Sequence, residues 1–287
     1  MTLGIQNIKR SIVVIDKPSG PTSFDISNFI RKQLDLNKTS HFGTLDPKVT
    51  GVLPIALGSA VRLTAYFSRQ DKEYVGIMHL HEDIEEKKIK EVIKKRFLGK
   101  IKQLPPVKSR VKREEREREI KRFEILEKQE KDILFKVECQ AGTYIRKLVH
   151  DLGNELGVGA HMTELRRIRA SIFLEKDSVT LYDFVKAVEE YKKGNPEKLK
   201  KMLLPIEIVK KIMPSLIVKQ QFIDKLKHGS PLFKEMIERH DKFNKNEEIA
   251  IFYNNSLIEI SDAVTESGKL KDLNKKEIIA KALTVFN

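Results

Sequence analysis

One carboxylate is set in a stretch whose residue types force an unusual backbone path: His41-Phe42-Gly43-Thr44-Leu45-Asp46-Pro47. Gly43 admits dihedrals that a side chain forbids, and Pro47 pushes Asp46 towards an extended conformation. Gly51 and Pro54 prolong the irregularity before the apolar run Ile55, Ala56, Leu57. By residues alone the stretch is either a turn, since Asp-Pro and Gly are ordinary turn chemistry, or a loop built to present Asp46. Arg146 could partner such a carboxylate, lowering its pKa and orienting it. In Gly142-Thr143-Tyr144-Ile145-Arg146, residues 144 and 146 point the same way only if the backbone there is extended, because helical residues two apart differ by about 200° in direction. If both face one site, a helix must begin near Arg146. Tyr74, on an alternating segment, is core or site wall. Cys139 is the only cysteine, so neither an intrachain disulfide nor a thiolate metal cluster is expected. It alternates with Phe135 and Val137, as a buried strand position would. His79 and His81 fit an alternating strand better than a metal site, and no metal is expected.

The elements that must carry these groups follow from periodicity. Ser11 to Ile15 reads as a strand entering a Pro/Gly loop. Phe24 to Leu36 reads as a helix with Ile26, Phe29, Ile30 and Leu34 on one face, and Tyr74 to Leu80 as a strand. Ile84 to Phe97 predicts a charged helix with Ile89, Val92, Ile93 and Phe97 as its buried stripe. Ile120–Leu126 and Ile133–Cys139 predict a hairpin, and Ile145, Leu148, Val149, Leu152 and Leu156 keep helical spacing. Pro205 and Pro214 frame a boundary, giving domains 1–208 and 209–287. The second holds a helix near Lys219–Lys227, then His228-Gly229, and strands Ile249–Tyr253 and Leu257–Ile260 around the turn Asn254-Asn255.

The 287 residues carry a formal charge of +14 and are 40% apolar and 33% charged. That suits a soluble protein with a polyanionic partner, nucleic acid before a membrane surface. No stretch approaches the ~20 apolar residues a span needs and no signal-peptide pattern opens the chain, so a cytoplasmic protein is expected. The Lys-, Glu- and Ile-rich surface hints at a thermophilic source. Between Pro105 and Arg122, eight cations, including Lys108, Arg110, Lys112 and Arg113, face four glutamates. This run is a solvated charged face or an arm closing over RNA phosphates. A nucleotide-binding enzyme using its glycine loops is disfavoured, because no Gly-x-Gly-x-x-Gly or phosphate-loop motif follows a strand.

The loop around Asp46 resembles the nucleophile loop of pseudouridine synthases of the TruB and dyskerin family. Four further segments resemble that family in order: Ile15-Asp16-Lys17-Pro18-Ser19-Gly20-Pro21-Thr22-Ser23, Lys72-Glu73-Tyr74, Gly142 to Leu148, and Gly157 to Met162 leading into Leu165-Arg166-Arg167. The last follows the archaeal and eukaryotic branch. The resemblance implies an α+β catalytic domain, its mixed and mainly antiparallel sheet flanked by helices, followed by a small β-barrel PUA domain. It implies that Asp46 is the nucleophile, that Arg146 pairs with it, and that Tyr74 stacks on a flipped uracil and serves in proton transfer. Tyr144 and Leu165 would line the pocket, with Lys17, His41, Gly43 and Thr44 supporting it. Arg62, Arg166, Arg167 and the basic arm would contact RNA phosphates. Isomerising uridine to pseudouridine involves no redox change or net hydrolysis, so no cofactor is expected. The expected partners are RNA, either transfer RNA or an H/ACA guide RNA with its ribosomal target, and small accessory proteins of that particle. A non-catalytic RNA-binding or assembly protein on the same scaffold is the alternative. Three departures stand out. Phe42 replaces a small residue, Arg169-Ala170-Ser171 replaces a Ser-Gly pair, and an aromatic and basic tail is missing after Phe286-Asn287.

Overall fold

Contacts in the computed structural model, which describes residues 5–105 and 112–286, divide the chain into two units. One is built from Ile12–Leu203, the other from Ile5–Ser11 with the stretch from Leu204 onward. No helix among the described residues is long and apolar enough to cross a membrane.

In the first unit the elements run β1 (Ser11–Lys17), α1 (Ser23–Gln33), β2 (Thr39–His41), β3 (Thr50–Leu57), β4 (Lys72–Leu80), α2 (Glu86–Val92), β5 (Gly99–Gln103), β6 (Arg116–Gln129), β7 (Asp132–Cys139), α3 (Ile145–Glu155), β8 (Ala160–Ala170) and β9 (Phe173–Leu174). The sheet orders them β1-β3-β8-β4-β7-β6-β5, with β2 paired to β3 and β9 to β8. Every one of these pairings is antiparallel except β3 with β8, which run parallel over Thr50↔Arg166 and Gly51↔Arg167. The fold is therefore α+β with a mixed, mainly antiparallel sheet. At the parallel joint a side chain on Gly51 would lie 2.2 Å from the Arg167 carbonyl oxygen, so only glycine lets the two strands meet. Leu148 and Leu152 of α3, with Leu156 just after its end, bury their stripe against Met78, Phe135 and Val137 of the sheet.

Three expectations change in detail. Phe29 does not join Ile26, Ile30 and Leu34 in the core; it stays exposed, beyond the edge of the apolar stripe. The helix expected to Phe97 ends at Val92 and widens into a π turn over Ile93–Phe97, which still buries Ile93 and Phe97. The basic run is not an arm throughout. Arg116, Arg118, Lys121 and Arg122 lie on β6, paired to β5 and β7, where a bulge between Ile120 and Arg122 lets Ile120 and Phe123, three residues apart, both enter the core. Lys112 and Arg113 are exposed and precede that strand, while Lys108 and Arg110 lie outside the described residues.

The second unit is a six-stranded sheet, ordered Leu232–Phe233, Ile278–Val285, Ser256–Ala263, Glu248–Tyr253, Ser215–Val218, Ile237–His240. Leu216, Val218, Ile249, Ile251 and Ile279 form its core. Asn254 takes φ 51° at the hairpin turn, as Asn in a tight turn can. The expected helix near Lys219 is a 3-10 turn, Gln220–Phe222, running into Ile223–Lys227, and Gly229 follows at φ 79°. Glu259 is fully buried on the strand Ser256–Ala263, bonded by the Ser261 hydroxyl at 2.7 Å, while its second oxygen has no partner.

Candidate active site

The loop bearing Asp46 is clamped at nearly every residue. Thr22 caps α1 in a reciprocal box with Asp25. The next residue, Ser23, is thereby aimed back at the loop: its hydroxyl accepts from the Leu45 N–H at 2.8 Å and donates to the Leu45 carbonyl at 3.1 Å. The Phe42 N–H donates to the Pro54 carbonyl at 2.9 Å, and the Val49 N–H closes a turn on the Asp46 carbonyl at 3.0 Å. Lys17 has no solvent exposure, and its ammonium donates at 2.9 Å to each of three carbonyls, those of Pro18, Pro47 and Val49. The Gly20 N–H gives Pro47 a second bond at 2.9 Å. Asp46 is thus fixed by its neighbours' backbone while its own carboxylate is left to act. Gly43 holds φ 99°, the conformation foreseen for it.

Arg146 forms an ion pair with Asp46. Tyr144 is extended at φ −94°, ψ 100°, and α3 starts at Ile145, the strand-to-helix junction that the spacing required. No side chain caps α3. Instead the buried amide of Gln103 grips Tyr144, accepting from its N–H at 3.0 Å and donating to its carbonyl at 3.2 Å. Gln103 carried no signal in the sequence, since a lone Gln before a proline pair is ordinary loop composition. The ion pair is open to solvent: the Asp46 and Arg146 side chains are 51% and 63% exposed. A pair so open contributes at most about 1 kcal/mol to stability. Its value lies in orientation.

Behind the carboxylate sits Arg167, which corrects its assignment to RNA contact. It is 1% exposed and spends its guanidinium inward, on the Val52 carbonyl at 2.8 Å, the Gly43 carbonyl at 3.0 Å and the Tyr74 hydroxyl. A buried guanidinium needs such partners, and here they are the Asp46 loop and the phenol. Burial pushes the Tyr74 phenol above its ordinary pKa, opposed by Arg167 and helped by Cys139 and Asp46, so it stays a neutral donor. Lys72, also buried, is pushed down to about 8 by burial and by Arg167, and donates to the carbonyls of Ser68 and Gln70. Burial lowers the Lys17 pKa while Asp46 acts to raise it. Asp46 thus meets Arg146 directly and Lys17 through its field.

His41 bonds Thr44 through Nε2 at 3.0 Å and is held neutral by burial and by Arg167. Phe42 stacks on Phe67 at 4.9 Å and tilts against Phe173 at 5.9 Å, filling the space beside the loop. Leu165 packs with Tyr74 against the main core, opposite Gly76, where a side chain would come within 2.9 Å of Leu165. Arg166 pairs with Asp16 at 2.9 Å and with Glu175, leaving it partly exposed but engaged. Arg62 is exposed on a 3-10 turn, Gly58–Leu63. Ser171 is buried with φ 59°; its N–H donates to the Asp71 carbonyl at 2.8 Å, while its hydroxyl has no hydrogen-bond partner among the described residues. Cys139 is buried and its thiol pushed up to about 12, as an inert strand residue.

The chain matches the model of the TruB family pseudouridylate synthase N-terminal domain over residues 31–145 and that of the tRNA pseudouridylate synthase B C-terminal domain over residues 146–209. It is 42% identical to a probable tRNA pseudouridine synthase B of Sulfurisphaera tokodaii, across 97% of this chain and 83% of the relative. The chain belongs to the TruB family of pseudouridine synthases. A probable tRNA pseudouridine synthase B of Methanocaldococcus jannaschii is 45% identical across 82% of this chain and 70% of its own. A chain of a Cbf5-Nop10-Gar1 complex superposes with a TM-score of 0.92 at 39% identity, across 99% of this chain and 87% of that one. A chain of an H/ACA RNP bound to a substrate RNA containing 2'-deoxyuridine gives 0.90 at 37% identity, across 98% and 86%. Membership of this family makes the protein an isomerase.

Proposed function

We propose that this pseudouridine synthase uses Asp46 as its nucleophile on a uridine turned out of structured RNA. The observation carrying this is the meeting of Asp46 and Arg146, 100 residues apart, on a loop whose backbone is held by Lys17, Ser23 and Arg167. A free carboxylate oriented by a guanidinium, beside a neutral phenol and apolar Leu165, suits severing and remaking a glycosidic bond. Tyr74 would face the detached uracil and pass on its carbon-bound proton; Tyr144 would wall the pocket. Extruding the base costs a few kcal/mol of unstacking, which RNA contacts around the pocket must offset.

The relatives support two readings of the target. The T-loop uridine of transfer RNA fits the probable tRNA synthases, and a ribosomal uridine chosen by an H/ACA guide RNA, with small accessory proteins, fits the structural neighbours. The second unit would act as the RNA-binding PUA-like domain. A purely RNA-binding role is disfavoured, since it has no use for Asp46, Tyr74 and Arg146 held together. Asp46→Asn is expected to abolish tritium release from uracil-labelled RNA while keeping RNA affinity within several-fold. Undiminished turnover would remove Asp46 from the mechanism. Assaying unmodified transfer RNA with and without guide RNA and accessory proteins separates the two targets.

A further inference from the structure

The densest run of like charge among the described residues was not the one that drew attention in the sequence. From Lys94 to Lys102 the chain carries Lys94, Lys95, Arg96, Lys100 and Lys102 with no acidic residue, and all five are exposed. They lie on the π turn and on β5, which face α3 across an open groove of about 710 Å³. Arg96, Lys100 and Lys102 line one wall and Lys147 the other, over the apolar floor of Phe97 and Ile101. The groove is placed beside the catalytic centre by covalent neighbours. Lys147 follows Arg146, and Lys102 precedes Gln103, the residue that grips Tyr144.

We infer that this groove is a track for the phosphate backbone of the RNA strand leaving the catalytic loop, an inference that rests on the proposed RNA substrate. The groove is not uniformly positive: Glu117, Asp151 and Glu155 also line it. Arg96 meets Glu155 and Lys100 meets Glu117, each at 3.0 Å, and Lys147 meets Asp151. The Arg96 and Lys100 pairs are open to solvent, where such contacts are weak, so phosphates can take over the cations. Lys102 is likewise paired, with Glu115 at 3.0 Å, and that contact too is open to solvent. The eleven residues of α3 give the groove a wall about 16 Å long, enough for a short run of nucleotides. A protein segment is the competing occupant. Backbone phosphates fit better because a strand whose nucleotide enters at Asp46·Arg146 must continue past the first turn of α3.

The test is the double variant Lys100→Gln/Lys102→Gln, chosen because both lysines line the groove and their pairs with Glu117 and Glu115 are open to solvent. Binding of an unmodified transfer-RNA transcript is titrated between about 50 and 200 mM salt, with folding checked by circular dichroism. The slope of log affinity against log salt should become shallower by about one to two, near one per lost phosphate contact. Affinity should drop several-fold at the low-salt end, the loss in kcat/KM falling on KM. A slope and affinity matching the parent protein would overturn the inference, as would unchanged RNA binding with loss of an accessory protein. Asp46→Asn runs alongside. If it retains turnover while the lysine variant loses RNA, the catalytic reading fails and the groove stands; the reverse pair of results fails the groove alone.

Discussion

Lys17 donates to three carbonyls, and two of these, Pro47 and Val49, closely follow Asp46 in the loop. A buried ammonium is costly unless fully paired, so its presence here marks what it holds. The methyl-capped isostere Lys17→Met would keep the volume and remove the donor. It would leave the Val49 carbonyl without its bond, at about 1–3 kcal/mol for a buried unsatisfied group. The expected result is a lower urea midpoint together with a fall in kcat larger than any rise in KM, since the loop's geometry and not RNA affinity is lost. A variant with wild-type kcat would show that Lys17 serves stability alone. Arg167 is the companion case from the opposite side of the loop, bonding Gly43, Val52 and Tyr74 at once.

Among the elements, the strand Ser256–Ala263 carries a liability unrelated to the active site. Burial raises the Glu259 carboxyl from its usual value to about 7. Folding therefore favours its protonated form. That stability is fully present below about pH 4.5 and is lost as pH rises to about 7, above which the fold must bury an anion with one unbonded oxygen. Glu259→Gln keeps the acceptor for Ser261 and removes the titration. Relative to the parent, the variant should gain stability between pH 4.5 and 8, by up to about 3 kcal/mol, read from denaturant midpoints at both pH values. A pH-independent difference would mean that Glu259 titrates normally.

For the whole molecule, the net charge of +14 sets the terms of RNA binding. Phosphate neutralisation releases counterions, so affinity for unmodified transfer RNA should fall steeply with salt, by tenfold or more across about 50–200 mM. A flat titration would contradict a backbone-dominated interface. Charge alone did not reveal where the cations point. Arg166 faces Asp16 and Glu175, Arg167 turns inward, and part of the basic run past Pro105 lies on β6.

The residues proposed to act were legible because chemistry is local in composition: Asp46 between Gly43 and Pro47, Tyr74 on an alternating strand, Arg146 after an extended Tyr144. Periodicity likewise announced β1, α1, β4, α3 and the hairpin at Asn254, where each buried face repeats along its own segment. What supports the site could not be read that way. Ser23, Gln103, Lys17 and Arg167 act through bonds to carbonyls and amides 22 to 124 residues away, and no local pattern encodes a backbone partner that only the assembled sheet brings near.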